Sequence, residues 1–336
     1  MADNLAVQTQ RAALEACERL LGIRPVRAEL TSGGRLKSLR VHLPDRTVIA
    51  TRRKSPQRAE LEAAVLGALN EQGAPVPTVL AFDGTWLIQE DLGTRRLSRV
   101  LRDAGEDSAE ELLDRGLDSL SQIHAAAAAA GLPSRIYTIG AKPGWLERLI
   151  QAPAELGEDL GVPAPPVPTA ALLALLSGTN RSFVKWDARP ANACVRQDGS
   201  IAWFDWEHCG RRNRLDDLAW VLCDERVPDR QDIEERLIAR YFPIFDDGGY
   251  DQGAVNYLYA FGTFHACIRL SIVLGSWLDS HRDAETAPLS PGRRMDAIRL
   301  VTRAGRWAGV CGLTSQLAPW FAAVADRLQG EATKPS

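Results

Sequence analysis

Residues 183–207 read FVKWDARPANACVRQDGSIAWFDWE. Two aspartates, Asp187 and Asp205, and one asparagine, Asn192, lie among apolar residues, and a tryptophan flanks each aspartate. Carboxylates and amides are costly in apolar surroundings unless something holds them there. Two short β-like runs, NACVRQ and IAWFDW, are joined by the turn DGS and read as a strand pair. Such a pair begins beside Asp187 and Asn192 and ends on Asp205, so three oxygen donors converge. Hard cations such as Mg2+ take that donor set, and Mg2+ commonly arrives with phosphates. Taken singly, each aspartate reads sooner as a turn cap, and Asn192 as a strand start. The spacing of all three favours a metal site.

The spacing also fits phosphoryl transfer. There a catalytic-loop Asp is followed five residues later by a metal-holding Asn, and a second metal-holding Asp follows the next strand. Asn192 is five residues after Asp187, and Asp205 follows the hairpin. One Asp is then free to orient a hydroxyl nucleophile.

The 336 residues suffice for one large domain or two modest ones. With 45% hydrophobic and 25% charged residues, the composition is that of an ordinary globular protein. A net charge of −3 supplies no basic field, so nucleic acid is not an expected partner. Six cysteines show neither CxxC nor Cys/His ligand spacing and read as reduced, buried thiols. There is no apolar leader, and the candidate span ACIRLSIVLGSWL is broken by Arg269. The expectation is a cytoplasmic protein without a membrane partner. The pattern assigns no oligomeric state.

Along the chain, residues 5–22 read as an amphipathic helix with Leu14, Cys17 and Leu21 on one stripe. LKSLRVHL, RTVIATRR and WLIQEDL read as strands. Between the last two, AELEAAVLGALNEQG reads as a helix with Leu61, Val65 and Leu69 on one face and Gly73 as its stop. SAEELLDRGLDSLSQIHAAAAAAG reads as a helix with Ser108 as N-cap and Glu111 completing a capping box. The Pro-rich run 161–169 is a stiff connection, and 214–328 alternates helical patterns with polar loops.

DARPANACV, IAWFDWE and the DDLAWVL of 216–222 together resemble the signature of the aminoglycoside phosphotransferase/choline kinase family. This is a small-molecule branch of the protein-kinase-like fold. The resemblance covers about residues 24–225. It implies an α+β, bilobal protein-kinase-like fold with a small β-rich N-lobe (1–92) and a larger mainly helical C-lobe (93–330); the terminal run GEATKPS reads by itself as frayed, with a disordered tail expected over 331–336. It also implies Asp187 as catalytic base, Asn192 and Asp205 as Mg2+ ligands, and Glu207 as a contact to a second metal. Asp217 would bond the catalytic-loop backbone. ATP is the implied phosphate donor, with GTP open, and the partner is a small-molecule hydroxyl acceptor: an aminoglycoside, amino alcohol, sugar or related metabolite.

By the same resemblance, Gly33 and Gly34 in the first hairpin let backbone approach phosphates, although a Gly-Gly turn is also an ordinary hairpin turn. Arg52 takes the place of the family's phosphate-gripping lysine, with Glu62 as its helical partner. A register slip would bring Arg53 or Lys54 there instead. The hinge backbone at Gln89, Glu90, Asp91 and Leu92 would bind the base. Lys185 and Trp186 stand where the family has His-Gly. Arg189 reads equally as a cation for the transferring phosphate or as a solvated loop arginine. His124 reads as a packed core histidine. Nine acids against four arginines in 224–251 would suit a polycationic acceptor, though a solvated face is favoured. The aromatic mix of 257–282 reads chiefly as helix-bundle packing. The competing class is a pseudokinase that binds nucleotide or a partner without turnover. A protein-side-chain kinase ranks last, because only eleven residues separate Asp205 from Asp217.

Overall fold

A computed structural model of the chain describes residues 2–31, 38–178, 181–246, 251–282 and 289–330. The expected tail and the Gly33–Gly34 turn lie outside the described residues. The chain opens with helix α1 (Ala2–Leu21), followed by β1 (Arg27–Leu30), β2 (Ser38–His42) and β3 (Thr47–Arg52). Helix α2 (Pro56–Glu71) precedes β4 (Val79–Phe82) and β5 (Trp86–Glu90). The five strands form one antiparallel sheet in the order β1-β2-β3-β5-β4.

Side chains alternate across this sheet, and both faces are put to use. Leu39, Val41, Val48, Ala50, Trp86 and Ile88 bury against Ala13, Ala16 and Cys17 of α1. On the opposite face, Ser38, Arg40, Ile49, Thr51 and Gln89 line a cleft. Ser55 caps α2, accepting a bond from the Arg58 N–H, and Pro56 fits the first turn, where no N–H is needed. The buried face of α2 carries Ala59, Glu62, Val65, Leu66 and Leu69, so Glu62 points inward.

The larger lobe is mainly helical: α3 (Leu97–Asp103), α4 (Glu106–Ala129), α5 (Trp145–Leu160), α6 (Thr169–Leu176) and, beyond two short strand pairs, five more helices. The pairs are β6 (Ser182–Val184) with β9 (Gly210–Arg212), and β7 (Ala193–Val195) with β8 (Ile201–Trp203). The last helices are α7 (Leu215–Leu222), α8 (Gln231–Phe245), α9 (Gln252–Arg282), α10 (Pro291–Val310) and α11 (Leu317–Gly330). Helix α4 starts earlier than its capping pattern suggests. Gly105 is the N-cap, and the Ala109 N–H closes the first turn on the Gly105 carbonyl at 2.9 Å. Ser108 therefore sits inside the first turn.

Gln252–Gly275 of α9 is long and apolar enough to cross a membrane, yet 67% of its most apolar window is buried within the protein. It packs against α5, α7 and α10 as a core helix. Gly262 lets α10 approach: a Cβ there would lie 2.2 Å from the Trp307 ring.

Candidate active site

The loop that follows β6 leaves the strand in an unusual backbone state. Trp186 and Asp187 have φ of 52° and 50°, and Asp205 has φ of 64°; they are the positive-φ non-glycine residues among those described. Each such residue costs about 1–3 kcal/mol and persists only where its surroundings hold it. Asp217, buried at the start of α7, supplies part of that hold. Its carboxylate accepts the N–H of Lys185 at 2.7 Å and of Trp186 at 2.8 Å, and lies 2.8 Å from His124 Nε2. His124 is thus buried, as read from the sequence, and it also orients the acid that fastens the loop.

Asn192 Nδ2 donates to the Asp187 carbonyl at 3.0 Å and to Asp187 Oδ2 at 2.8 Å. The Phe204 N–H bonds the Asn192 carbonyl at 2.9 Å, so the β7–β8 hairpin carries Asp205 to the same place. Lys185 is fully buried beneath both loops. Its Nζ donates to the Asp205 carbonyl at 3.2 Å and lies 5.0 and 5.8 Å from the Trp206 and Trp203 ring centres. Burial lowers its pKa, and Asp187, Asp205 and Asp217 act against that. The residue in the family's histidine position therefore serves as a strut between the two acid-bearing loops.

The strand register corrects one assignment. Arg52 is exposed, and the partner of Glu62 is Arg53. Arg53 Nε and Nη2 bond the two Glu62 oxygens at 2.7 and 2.8 Å, Nη2 reaches Asp205 Oδ1 at 2.7 Å, and Nη1 reaches Glu207 Oε1 at 3.1 Å. Ile49, Thr51 and Arg53 share the cleft face, which puts Arg52 on the other side. Burial works to raise the Asp205 pKa, but Arg53 and Lys185 outweigh it and hold the carboxyl below its usual range.

Glu207 faces Arg53, with Arg58 at 3.7 Å on its second oxygen. Arg189 is neither solvated nor unpaired. Its guanidinium bonds Asp224 at 2.9 Å and Glu225 at 3.1 Å, and Arg269 grips Glu225 at 2.7 and 3.2 Å. Three of the nine acids in the run are internal: Asp224, Glu225 and Glu234 are buried, and Glu234 bonds Arg303 and the Trp307 indole, while Asp232, Glu235 and Asp251 are exposed. Asp247 lies outside the described residues. Tyr257, Phe261, Phe264, His265 and Trp277 are buried in the bundle.

Between the lobes lies a cavity of about 440 Å³ that reaches Asp187, Arg189, Asn192, Asp205 and Glu207 at one end and Gln89, Glu90, Asp91 and Leu92 at the other. Asp91 is held by the Arg40 guanidinium and by the Gly93 N–H at 3.0 Å. Glu90 accepts the Thr78 N–H at 3.1 Å, and the Leu92 carbonyl accepts the Cys194 thiol at 3.3 Å. Arg40, Arg96 and Phe204 also line the cavity and carried no signal in the sequence. Arg96 lies over the Phe204 ring at 5.2 Å and donates to the Ala191 carbonyl at 3.1 Å.

Among the described residues no three His, Cys, Asp or Glu side chains form a metal-holding group. The donor set instead offers amide and carboxylate oxygens from Asn192 and Asp205 beside a cleft. That suits Mg2+, which keeps several waters and shares its shell with phosphates, better than a cation needing an all-protein cage.

These two lobes, with the cleft between them, define the protein-kinase-like class of phosphotransferases. The chain belongs to the phosphotransferase enzyme family APH, whose model matches residues 29–254. No curated protein matches the sequence. Among solved structures, it is similar to the choline kinase of Streptococcus pneumoniae: 15% identity over 88% of this chain and 98% of that one, TM-score 0.56. A spectinomycin phosphotransferase in complex with ADP and spectinomycin is 12% identical over 85% and 93%, TM-score 0.55. An aminoglycoside phosphotransferase of Alicyclobacillus acidocaldarius is 12% identical over 96% of each chain, TM-score 0.53. At these identities the likeness is one of fold.

Proposed function

We propose that the protein transfers the γ-phosphate of ATP to a hydroxyl of a small molecule. The observation that carries the reading is the convergence of Asp187, Asn192 and Asp205 on one wall of the interlobe cleft. The acceptor hydroxyl gives its proton to Asp187, its oxygen bonds the γ-phosphorus, and the bond from that phosphorus to ADP breaks. Asn192 holds Asp187 in orientation through its amide N–H. Asn192 and Asp205 would hold Mg2+, which neutralises phosphate charge when bound. Arg53, carrying the Glu62 pair, lies where it would meet the phosphates. The presence of ADP in the spectinomycin phosphotransferase complex supports a nucleotide in the cleft. The same reading divides the chain near residue 92 and places the protein in the cytoplasm.

One observation favours a second reading, binding without turnover. Arg53 already bonds Asp205, the acid assigned to the metal. Release of ADP from Mg2+-ATP across a panel of hydroxyl compounds separates the two. Acceptor-dependent release that excess chelator abolishes supports the kinase. Nucleotide binding with no release on any acceptor supports the second reading.

A further inference from the structure

Arg53 spends its donors on three acids at once. A guanidinium has five N–H groups, and four of these go to carboxylates. Two close the Glu62 pair, one reaches Asp205 at 2.7 Å and one reaches Glu207 at 3.1 Å. The three acids are held unequally. Glu62 is gripped by two prongs and is fully buried, and Glu207 is nearly so. Asp205 is met through one oxygen only, and its side chain is 33% exposed and lines the cleft. The planar fork of arginine makes this arrangement; a lysine ammonium is a point charge that would not span the same three partners in fixed directions.

Resting on the phosphoryl-transfer reading above, we propose that Arg53 is a built-in stand-in for the metal. It occupies Asp205 in the nucleotide-free protein and yields it only to an incoming polyphosphate, so a divalent cation enters with the nucleotide and not before it. Asp205 Oδ1 already accepts from Nη2. A second cation on that oxygen would share it with the guanidinium and be repelled by its charge. The acids are spread around Arg53 rather than around an open point, in keeping with the lack of a metal-holding group among the described residues. A phosphate that reaches Arg53 finds at most one uncommitted N–H, so further bonding requires that a carboxylate let go. Asp205, the most exposed and singly held of the three, is the one that does. Arg53 keeps Glu62, and its outer donor passes from a carboxylate to a phosphate. Asp205 is then released to the cation that accompanies the nucleotide, and neither buried charge is left uncompensated.

The test is a titration of Mn2+, which shares the oxygen-donor preference of Mg2+, followed by the electron paramagnetic resonance signal of the free ion. It is run on the full-length protein without nucleotide, for wild type, Asp205→Asn, Arg53→Lys and the double variant Arg53→Lys/Asp205→Asn. Wild type and Asp205→Asn are expected to bind Mn2+ equally weakly, because Asp205 is not open to the ion. Arg53→Lys is expected to bind it about 10–150-fold more tightly than wild type, the worth of one charge-assisted hydrogen bond. The double variant should lose that gain. A gain of affinity is a result that mere loss of structure does not give. Wild type binding Mn2+ more tightly than Asp205→Asn overturns the proposal, even if the Arg53 variants fail to fold. So does a folded Arg53→Lys with wild-type Mn2+ affinity. Both of those outcomes leave the phosphoryl-transfer reading standing, whereas a wild type that binds no Mg2+-ATP in calorimetry overturns both.

Discussion

Arg53 Nη2 donates to Asp205 Oδ1 at 2.7 Å while the same guanidinium closes a two-pronged pair with Glu62. One cation therefore ties helix α2 to the acid that follows β8. Taking one partner from a buried ion pair costs about 3–5 kcal/mol, because the other charge is left uncompensated. Arg53→Ala is expected to lower unfolding free energy by about that amount and to weaken ATP binding. Arg52→Ala, at an exposed position, is expected to stay within about 0.5 kcal/mol of wild type with unchanged affinity. Denaturant unfolding and calorimetry on both variants check the register. Equal effects would mean that Arg53 is not the clamp.

Asp187 and Asp205 are expected to fail in different ways. Asp187→Asn keeps an oxygen for the loop but cannot take the acceptor proton. ATP binding should stay near wild type while turnover falls about 10²–10⁴-fold. Asp205→Asn removes a carboxylate assigned to the metal, so Mg2+-ATP affinity should fall along with rate. Calorimetry and ADP release on an identified acceptor read both. Folded variants with wild-type turnover would remove the phosphoryl-transfer assignment.

Asp216 should leave a mark on stability between pH 4 and 6. Burial pushes its carboxyl up to about 6, against Arg212 at 2.5 Å and the Tyr257 hydroxyl at 2.8 Å. The folded pKa lies above the unfolded one, so in that window the folded state holds the extra proton. Stability from this group is then present below the unfolded pKa and is lost as pH rises toward 6. A shift of about two units corresponds to roughly 3 kcal/mol. Unfolding wild type and Asp216→Asn at both ends of the window should show the wild type losing ground to the variant at the higher pH. A constant difference would refute the assignment.

Gly262 is expected to resist even a methyl group. Alanine in a helix gains about 1 kcal/mol over glycine, but the added Cβ would fall 2.2 Å from a ring that Glu234 fixes through the Trp307 indole at 2.6 Å. Overpacking of this kind costs about 1–3 kcal/mol. Gly262→Ala should therefore melt below wild type, and a higher melting temperature would show that α10 can shift.

The acid–amide–acid spacing was legible because a single hairpin carries it. Asp187, Asn192 and Asp205 fall within 19 residues, and local backbone bonds bring them together. The bilobal fold followed from the same stretch and its resemblance. The choice between Arg52 and Arg53 was not legible. Both faces of β3 are covered, one by α1 and one by the cleft, so apolar alternation does not say which face is which. Val48 and Ala50 point to α1, and Ile49 and Thr51 to the cleft. The pairing of Arg189 with Asp224 and Glu225 spans about 35 residues, and charge counting along a run cannot foresee it.

The two hydrophobic cores do not divide where the lobes do. Val65, Leu66 and Leu69 of α2, with Val76 and Leu87, belong to the core of the larger lobe, and the Trp203 N–H bonds the Pro75 carbonyl at 3.1 Å. The outer face of the sheet and α1 form a separate cluster. Partial unfolding follows packed units rather than named lobes. In amide exchange, α1 with β1 and β2 should open as an outer shell while α2 stays protected with the helical bundle. The sheet that roofs the cleft and the Glu62 anchor beneath it would then belong to different cooperative units, with Arg53 as the charged stitch across the seam.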